Sequence, residues 1–126
     1  MRFISQKHKS FCNKCLMQSK SQDCYHQALF YTLGVCPDTR THVHDIFDFK
    51  NDCIKPNALE KEWQTSGSEK VCLMTFNMWN DFDKEKETTP NDLFNCEYSP
   101  YFFEATRLRF EHTSLMKSSM DKGHSR

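Results

Sequence analysis

Glycine and proline are scarce in this sequence, which has three glycines and four prolines among 126 residues. A β-sandwich needs turn residues roughly every eight to twelve positions, so this composition argues against a turn-rich β fold and favours helices. No run approaches the roughly 20 apolar residues of a membrane-spanning helix, and polar residues follow the first few positions. We therefore expect no signal peptide, no membrane contact and a cytoplasmic location.

Net charge is absent as well, because 17 basic side chains balance 17 acidic ones. The ends are basic and the middle is acidic, and residues 1–20 carry no acidic side chain at all. The chain therefore lacks the overall basic charge of a typical nucleic-acid-binding protein. Its seven cysteines are an odd number and cannot all pair in disulfides. In a reducing compartment we expect thiols or metal ligands.

Aromatic side chains are what the sequence has in quantity. Eleven phenylalanines offset a hydrophobic fraction of only 37%, so a few large side chains must fill the core. A chain of this length fits one domain. We predict an all-α fold: a single compact globular domain of about five to seven helices around a buried central helix. Residues 1–112 form this domain, and residues 113–126 form a flexible C-terminal tail.

Two helices are predicted near the N-terminus. Apolar residues between positions 3 and 16 share one helical stripe, with Ser5 as a plausible N-cap. Asp23 can cap a second helix over residues 24–33. Gly34 is expected to end that helix in the left-handed conformation, which glycine adopts most easily.

The middle of the chain contains the run that we expect at the centre of the fold. A third helix is predicted over residues 38–48, and a fourth, of about two turns, starts near Pro56 and ends at Trp63. Residues 71–79 are apolar almost throughout, as in a helix buried on most sides. Ser66 and Glu69 have the spacing of a capping box, so the central helix is predicted over residues 67–80.

Two later helices share one start signal, a hydroxyl N-cap followed by proline. Thr89-Pro90 begins a short helix, and Ser99-Pro100 begins a helix over residues 100–110 that packs on the central helix. The core residues expected from the second are Tyr101, Phe102, Phe103, Ala105, Leu108 and Phe110.

Several segments together resemble a known family. They include Asp-Cys-Tyr-His-Gln-Ala-Leu-Phe-Tyr-Thr-Leu-Gly (23–34), Asp-Thr-Arg (38–40), Ile-Phe-Asp-Phe-Lys (46–50), Trp-Gln-Thr-Ser-Gly-Ser (63–68), Phe-Asn (76–77), Ser-Pro-Tyr-Phe-Phe-Glu-Ala (99–105) and Leu-Arg (108–109). Over residues 3–110 the chain resembles domain-of-unknown-function family 6075, small bacterial proteins without an established activity. The resemblance implies a fold and a setting in genomes and mobile elements of Gram-positive gut bacteria.

Four residues form the sharpest chemical signal, because Cys12-x2-Cys15 is followed by Cys24-x-His26. Zinc takes four thiolate or imidazole ligands in a tetrahedron, and a Cys-x-x-Cys pair can reach one ion. Both Cys12 and Cys15, however, lie on the apolar stripe of the first helix. Buried thiols explain that position better than a zinc site, which remains the alternative.

Two further sites are weaker candidates. Ser66, Gly67 and Ser68 could contact an anion at a helix N-terminus, although the segment lacks the glycine spacing and lysine of a phosphate-binding loop. Phe82 stands among charged residues, so it is the aromatic residue most expected to be exposed and to contact a partner.

The predicted function is non-enzymatic binding of a macromolecule by a phage or mobile-element protein, acting as a stoichiometric, anti-CRISPR-like inhibitor of a host defence system. No catalytic residue and no cofactor is expected, and the partner is a protein or a protein–nucleic acid complex. One alternative is a small zinc-binding regulator or nucleic-acid-binding module that uses Cys12, Cys15, Cys24 and His26. Another is an anion- or nucleotide-handling enzyme at residues 66–69.

Overall fold

The computed structural model describes residues 2–82 and 88–111. Within those ranges the chain forms seven α-helices, one 3₁₀ helix and a two-stranded antiparallel ribbon. The α-helices are α1 (Gln6–Gln18), α2 (Cys24–Gly34), α3 (Pro37–Thr41), α4 (Val43–Ile46), α5 (Ser66–Asn80), α6 (Pro90–Leu93) and α7 (Ser99–Phe110). The strands are β1 (Phe47–Asp48) and β2 (Cys53–Ile54), and the 3₁₀ helix is Pro56–Glu60. The predicted all-α class is confirmed, whereas the predicted tail, 113–126, lies outside the described residues.

Helix α2 is the centre of the fold, since α1, α5 and α7 each pack on it. Every α2 residue from His26 to Gly34 is buried, as expected for a helix that is apolar on all sides. The prediction placed α5 at the centre with α7 on it. Helix α5 is indeed helical and largely buried, but α7 packs mainly on α2. The reason is that α5 keeps a polar side, with Lys70 and Asn77 only half-buried.

Helix α5 begins with a capping box one residue away from the predicted one. Thr65 is the N-cap, and its Oγ1 accepts a hydrogen bond from the Ser68 backbone N–H at 3.1 Å. Ser68 Oγ in turn accepts from the Thr65 N–H at 2.7 Å. The predicted pairing of Ser66 with Glu69 is therefore wrong. Ser68 fits the cap because its buried hydroxyl also donates to Gln64 Oε1 at 2.6 Å.

Gly34 has a different role from the predicted one. It is the last residue of α2, and neither of the described glycines has a positive φ. A Cβ atom on Gly34 would lie 2.7 Å from Cδ2 of His8 and 2.9 Å from Cδ2 of Phe11. Glycine is required because α1 approaches the end of α2 so closely.

The C-terminal carbonyls of α2 are buried and take their hydrogen bonds from side chains. A helix leaves its last four carbonyl groups without helical partners. Side-chain donors satisfy three of them here: His8 Nε2 for Tyr31 O, Thr39 Oγ1 for Leu33 O, and Arg40 Nη1 for Gly34 O. The sequence around α1 and α3 thus supplies the cap of α2.

The predicted third helix is broken into α3, α4 and β1. The β1 residues Phe47 and Asp48 pair with Ile54 and Cys53 of β2. An extended chain turns residues two apart to the same side. Accordingly, the rings of Phe47 and Phe49 lie 5.6 and 5.5 Å from that of Phe30. These contacts with α2 account for the extended conformation, which local helix propensity did not indicate.

Of the two helix N-caps predicted near the C-terminal end, one is confirmed and the other is wrong. Thr89 caps α6 as predicted, with Asp92 returning the hydrogen bond. Helix α7 begins at Ser99 itself, so Tyr98 is the N-cap and makes no side-chain cap hydrogen bond. Among residues 2–82 and 88–111, every helix is too short or too polar to cross a bilayer.

Candidate functional site: an aromatic and arginine surface

Helix α7 has one buried side and one exposed aromatic side. Phe102, Ala105 and Leu108 are fully buried, and their spacing places them on one stripe. Phe103 and Phe110 are 60% and 59% exposed. Residues seven apart on a helix differ in direction by only about 20°, so these two rings share the opposite face. The expectation that both belong to the core is wrong, because the helix can turn only one stripe toward α2.

Arg109 connects this face to α2. Its Cζ atom lies 3.8 Å from the centroid of the Tyr25 ring and 4.5 Å from that of Phe110. Its Nε donates to the carbonyl oxygen of Met78 at 2.9 Å. We call Tyr25, Phe103, Arg109 and Phe110 the aromatic surface. Aromatic residues and arginine are the residue types enriched where proteins bind other proteins.

The core supports the aromatic surface from behind. The Tyr25 ring is 41% exposed and meets Trp79 edge-on at 6.4 Å. Trp79 in turn lies 5.0 Å from the ring of His26. Because α2 and α5 carry these supporting rings, Tyr25 sits on two packed helices rather than on a loop.

A groove between α6 and α7 extends from Phe103. It measures about 910 Å³ and is lined by Pro90, Asn91, Phe94, Asn95, Phe103 and Thr106. The Phe94 ring lies 4.8 Å from Phe103. None of the lining residues is charged, so the groove suits apolar side chains.

The family model described as "Family of unknown function (DUF6075)" matches residues 1–122. The chain belongs to this family. The match spans nearly the whole chain and confirms the resemblance found in residues 3–110. Comparison with curated proteins and with solved structures gave no match. Membership in DUF6075 therefore assigns no activity to the chain.

Two of the predicted metal ligands lie in the α1–α2 interface. Cys12 is fully buried, and its thiol donates to the carbonyl oxygen of Phe30 at 3.6 Å. Burial raises the pKa of Cys15 to about 12 and shifts that of Cys12 in the same direction. Both are therefore protonated thiols near neutral pH in the metal-free protein, and binding zinc would require each to release its proton.

His26 has other partners than the cysteines. Its Nδ1 lies 2.7 Å from Oδ1 of Asp23, and its Nε2 lies 2.7 Å from Oδ1 of Asp52. Burial lowers the pKa of His26, but the hydrogen bonds and charges of the two carboxylates outweigh burial and raise that pKa above its ordinary value. Across 2–82 and 88–111, no three His, Cys, Asp or Glu side chains form a group that could hold a metal ion. The structure therefore does not assemble Cys12, Cys15, Cys24 and His26 into one site.

The predicted anion site at the start of α5 has an unfavourable charge environment. Ser68 is occupied in the capping box, while Ser66 and Gly67 line shallow pockets together with the acidic residues Asp38, Glu69, Asp92 and Glu97. Lys70 also lines them, but its Nζ donates to the carbonyl oxygen of Asp92 at 2.9 Å. Four carboxyl groups against one lysine repel an anion.

Phe82, the predicted partner contact, packs against the core. It is half-buried, with its ring edge-on to that of Phe76 at 5.7 Å. Sequence reasoning thus placed exposure at Phe82 and missed the aromatic surface. The available signal was the seven-residue spacing of Phe103 and Phe110, opposite the stripe of Phe102, Ala105 and Leu108.

Proposed function

We propose that this protein is a non-enzymatic macromolecule-binding protein, encoded on a phage or mobile element, that inhibits a host defence system stoichiometrically in the manner of an anti-CRISPR protein. The observation that carries the binding role is the aromatic surface, on which Tyr25, Phe103 and Phe110 are the exposed aromatic rings among the described residues. Exposed aromatic rings together with an arginine are the residue types enriched at interaction sites. The mobile-element setting that the family resemblance implies supports the defence-inhibitor role.

The charges around the aromatic surface favour a protein as the direct partner. Arg107 Nε lies 3.6 Å from Oε1 of Glu111, so its charge is already balanced. Residues 99–111 carry two arginines and two glutamates, Glu104 and Glu111, so helix α7 and its C-cap together have no net charge. Binding to nucleic acid draws its affinity from several unbalanced lysines and arginines that neutralise phosphates. An aromatic surface with balanced charge resembles a protein interface instead.

The binding role is tested by capture from the native host with the full chain as bait. The double variant Phe103→Glu/Phe110→Glu places charge on the exposed face of α7 without entering the core. Anchors of this kind each contribute about 2 kcal/mol, which is about 30-fold in affinity, so the loss of both is expected to weaken partner binding on the order of 900-fold.

Met17→Glu is the matched control, because Met17 on α1 is 79% exposed but has no place in the aromatic surface. It should capture the partner as the wild type does. Equal capture by all three proteins, or no retained partner, counts against the binding role. The inhibitor role is tested by transforming a defence-positive host that expresses each protein: wild type and Met17→Glu should restore transformation, and the double variant should not.

A further inference from the structure

We propose that Arg109 is a preorganised receptor for a carboxylate of the partner protein, with its guanidinium plane fixed by Tyr25 and Phe110 and its terminal Nη1 and Nη2 atoms facing the oxyanion. This inference deepens the proposed function and depends on it, since it names the chemistry that the partner must present. The partner would place an aspartate or glutamate beside apolar side chains that cover Phe103 and Phe110.

Three contacts orient the Arg109 side chain before any ligand arrives. Two rings lie against the guanidinium, with its Cζ atom 3.8 Å from the ring centroid of Tyr25 and 4.5 Å from that of Phe110. One edge is fixed by the hydrogen bond from Nε to Met78 O at 2.9 Å. A guanidinium has five N–H donors, and the remaining four belong to Nη1 and Nη2. These contacts fix the plane of the Arg109 guanidinium and its Nε edge, and they leave the Nη1 and Nη2 atoms available to a ligand.

The terminal edge is open to solvent. Nη1 and Nη2 of Arg109 donate to no described residue, since its one such hydrogen bond there is from Nε. No buried side-chain nitrogen in the same residues lacks a hydrogen-bond partner, so these two atoms must reach the surface. Two parallel N–H donors of a planar guanidinium match the two oxygens of a carboxylate.

Arg107, two residues earlier on α7, is an arginine without the ring contacts that restrict Arg109. Its side chain is 58% exposed, and within the described part of the chain its ion pair is the 3.6 Å contact with Glu111. A mobile arginine loses rotamer freedom when it binds, of the order of 2 kcal/mol for a long side chain. The rings have already restricted Arg109, so its loss is smaller. The two arginines thus differ in two respects: rings restrict Arg109, and a carboxylate already pairs with Arg107.

The direct test follows the arginine side-chain ¹⁵N resonances of the full chain by NMR while sodium acetate or inorganic phosphate is added. Both probes carry the oxyanion that the fork should accept. We expect the Arg109 resonances to shift and saturate at millimolar probe, while those of Arg107 shift little and linearly. Shifts at Arg109 that are no larger than those at Arg107 would overturn the inference.

A second measurement uses the captured partner. Arg109→Lys keeps the charge but loses the planar fork, so partner binding should weaken about tenfold, the value of one strong charge-assisted hydrogen bond. Arg107→Lys should leave binding unchanged. If Arg109→Lys binds normally while Phe103→Glu/Phe110→Glu does not, the binding role stands and this inference fails. Tight binding of a short single-stranded oligonucleotide that acetate displaces would assign the fork to phosphate and overturn the protein partner.

Discussion

A buried histidine lies at each end of α2, and one of the two is neutral whereas the other is charged. His8 reaches the C-terminal end from α1 and is 0% exposed, while His26 lies in the first turn and is 4% exposed. Nδ1 of His8 accepts from the Ile4 N–H at 3.1 Å, and its Nε2 donates to Tyr31 O at 2.8 Å. One donor and one acceptor require the neutral ring. His26 faces a carboxylate oxygen on each side, so both nitrogens must donate and the ring is charged.

Both rings are nearly inaccessible to solvent, so their different partners account for much of the difference in charge. Burial lowers the pKa of His8 to about 4, and its hydrogen bond to Tyr31 offsets this only in part. At His26 the two carboxylates outweigh burial and raise the pKa. The electropositive start of a helix attracts carboxylates such as Asp23, and the electronegative end accepts a donor such as His8.

The largest expected effect is at the C-terminal end. His8→Ala should lower the free energy of unfolding by about 3–5 kcal/mol, because it opens a cavity and leaves the buried Tyr31 carbonyl without its donor. Chemical denaturation at pH 7.5 measures the loss.

The pH dependence of that loss identifies its cause. The folded protein keeps His8 neutral, whereas the unfolded chain binds a proton near pH 6.5. The His8 contribution is therefore complete above pH 6.5 and declines as the pH falls toward 4. The gap between wild type and His8→Ala should narrow over that range. His44→Ala is the control, since His44 is exposed on α4, and a gap independent of pH would contradict the neutral His8.

A smaller effect is expected where α1 crosses Gly34. Gly34→Ala should destabilise the protein by about 1–3 kcal/mol, because the added Cβ would overlap the rings of His8 and Phe11. Gly67→Ala is the matched control, since its Cβ would meet Tyr98 Cε2 at an ordinary 3.6 Å. Thermal denaturation distinguishes the two variants. Equal melting temperatures would contradict the requirement for glycine where α1 packs against Gly34.

The smallest expected effect is at the N-terminal end, on the alkaline side of the pH profile. Because the folded pKa of His26 is raised, its contribution is complete below pH 6.5 and is lost as the pH rises through the folded pKa. We expect Asp23→Asn and Asp52→Asn each to reduce this alkaline loss while changing the free energy of unfolding by less than about 1 kcal/mol.

These substitutions preserve the local backbone. Asparagine caps helices as well as aspartate does, and it tolerates the positive φ of 59° at Asp52. Titration of the His26 ring by NMR gives its pKa directly in each variant. A His26 pKa unchanged in both variants would contradict the assignment of its charge to the two carboxylates.

Local signals identified the elements whose caps and stripes lie close together in sequence. Ser5 and Asp23 cap α1 and α2 as predicted, and the apolar run of residues 71–79 is helical. The break at residues 47–49 was not predictable from local sequence, because those residues are extended through contacts with Phe30, which lies 17 or more positions away. Long-range packing overrides propensity in such segments.

The candidate site likewise combines features that the local sequence predicts with features that depend on long-range packing. The types and spacing of Phe103, Arg109 and Phe110 are in the sequence, but their association with Tyr25 on α2 is not. The sequence alone suggested a metal site formed by Cys12, Cys15, Cys24 and His26. In the structure, the two α1 thiols are buried where α1 packs on α2, and both His26 nitrogens lie against carboxylates.

The sequence by itself determined the helical class, most helix starts and the apolar character of α2, because these follow from interactions within about one or two turns of chain. Only the tertiary structure decided which helix lies at the centre, which face of α7 is exposed and which histidine is charged. Each of these depends on groups brought together from distant positions, such as Asp52 beside His26 or Tyr25 beside Arg109. Spacing along one segment does not encode such pairings.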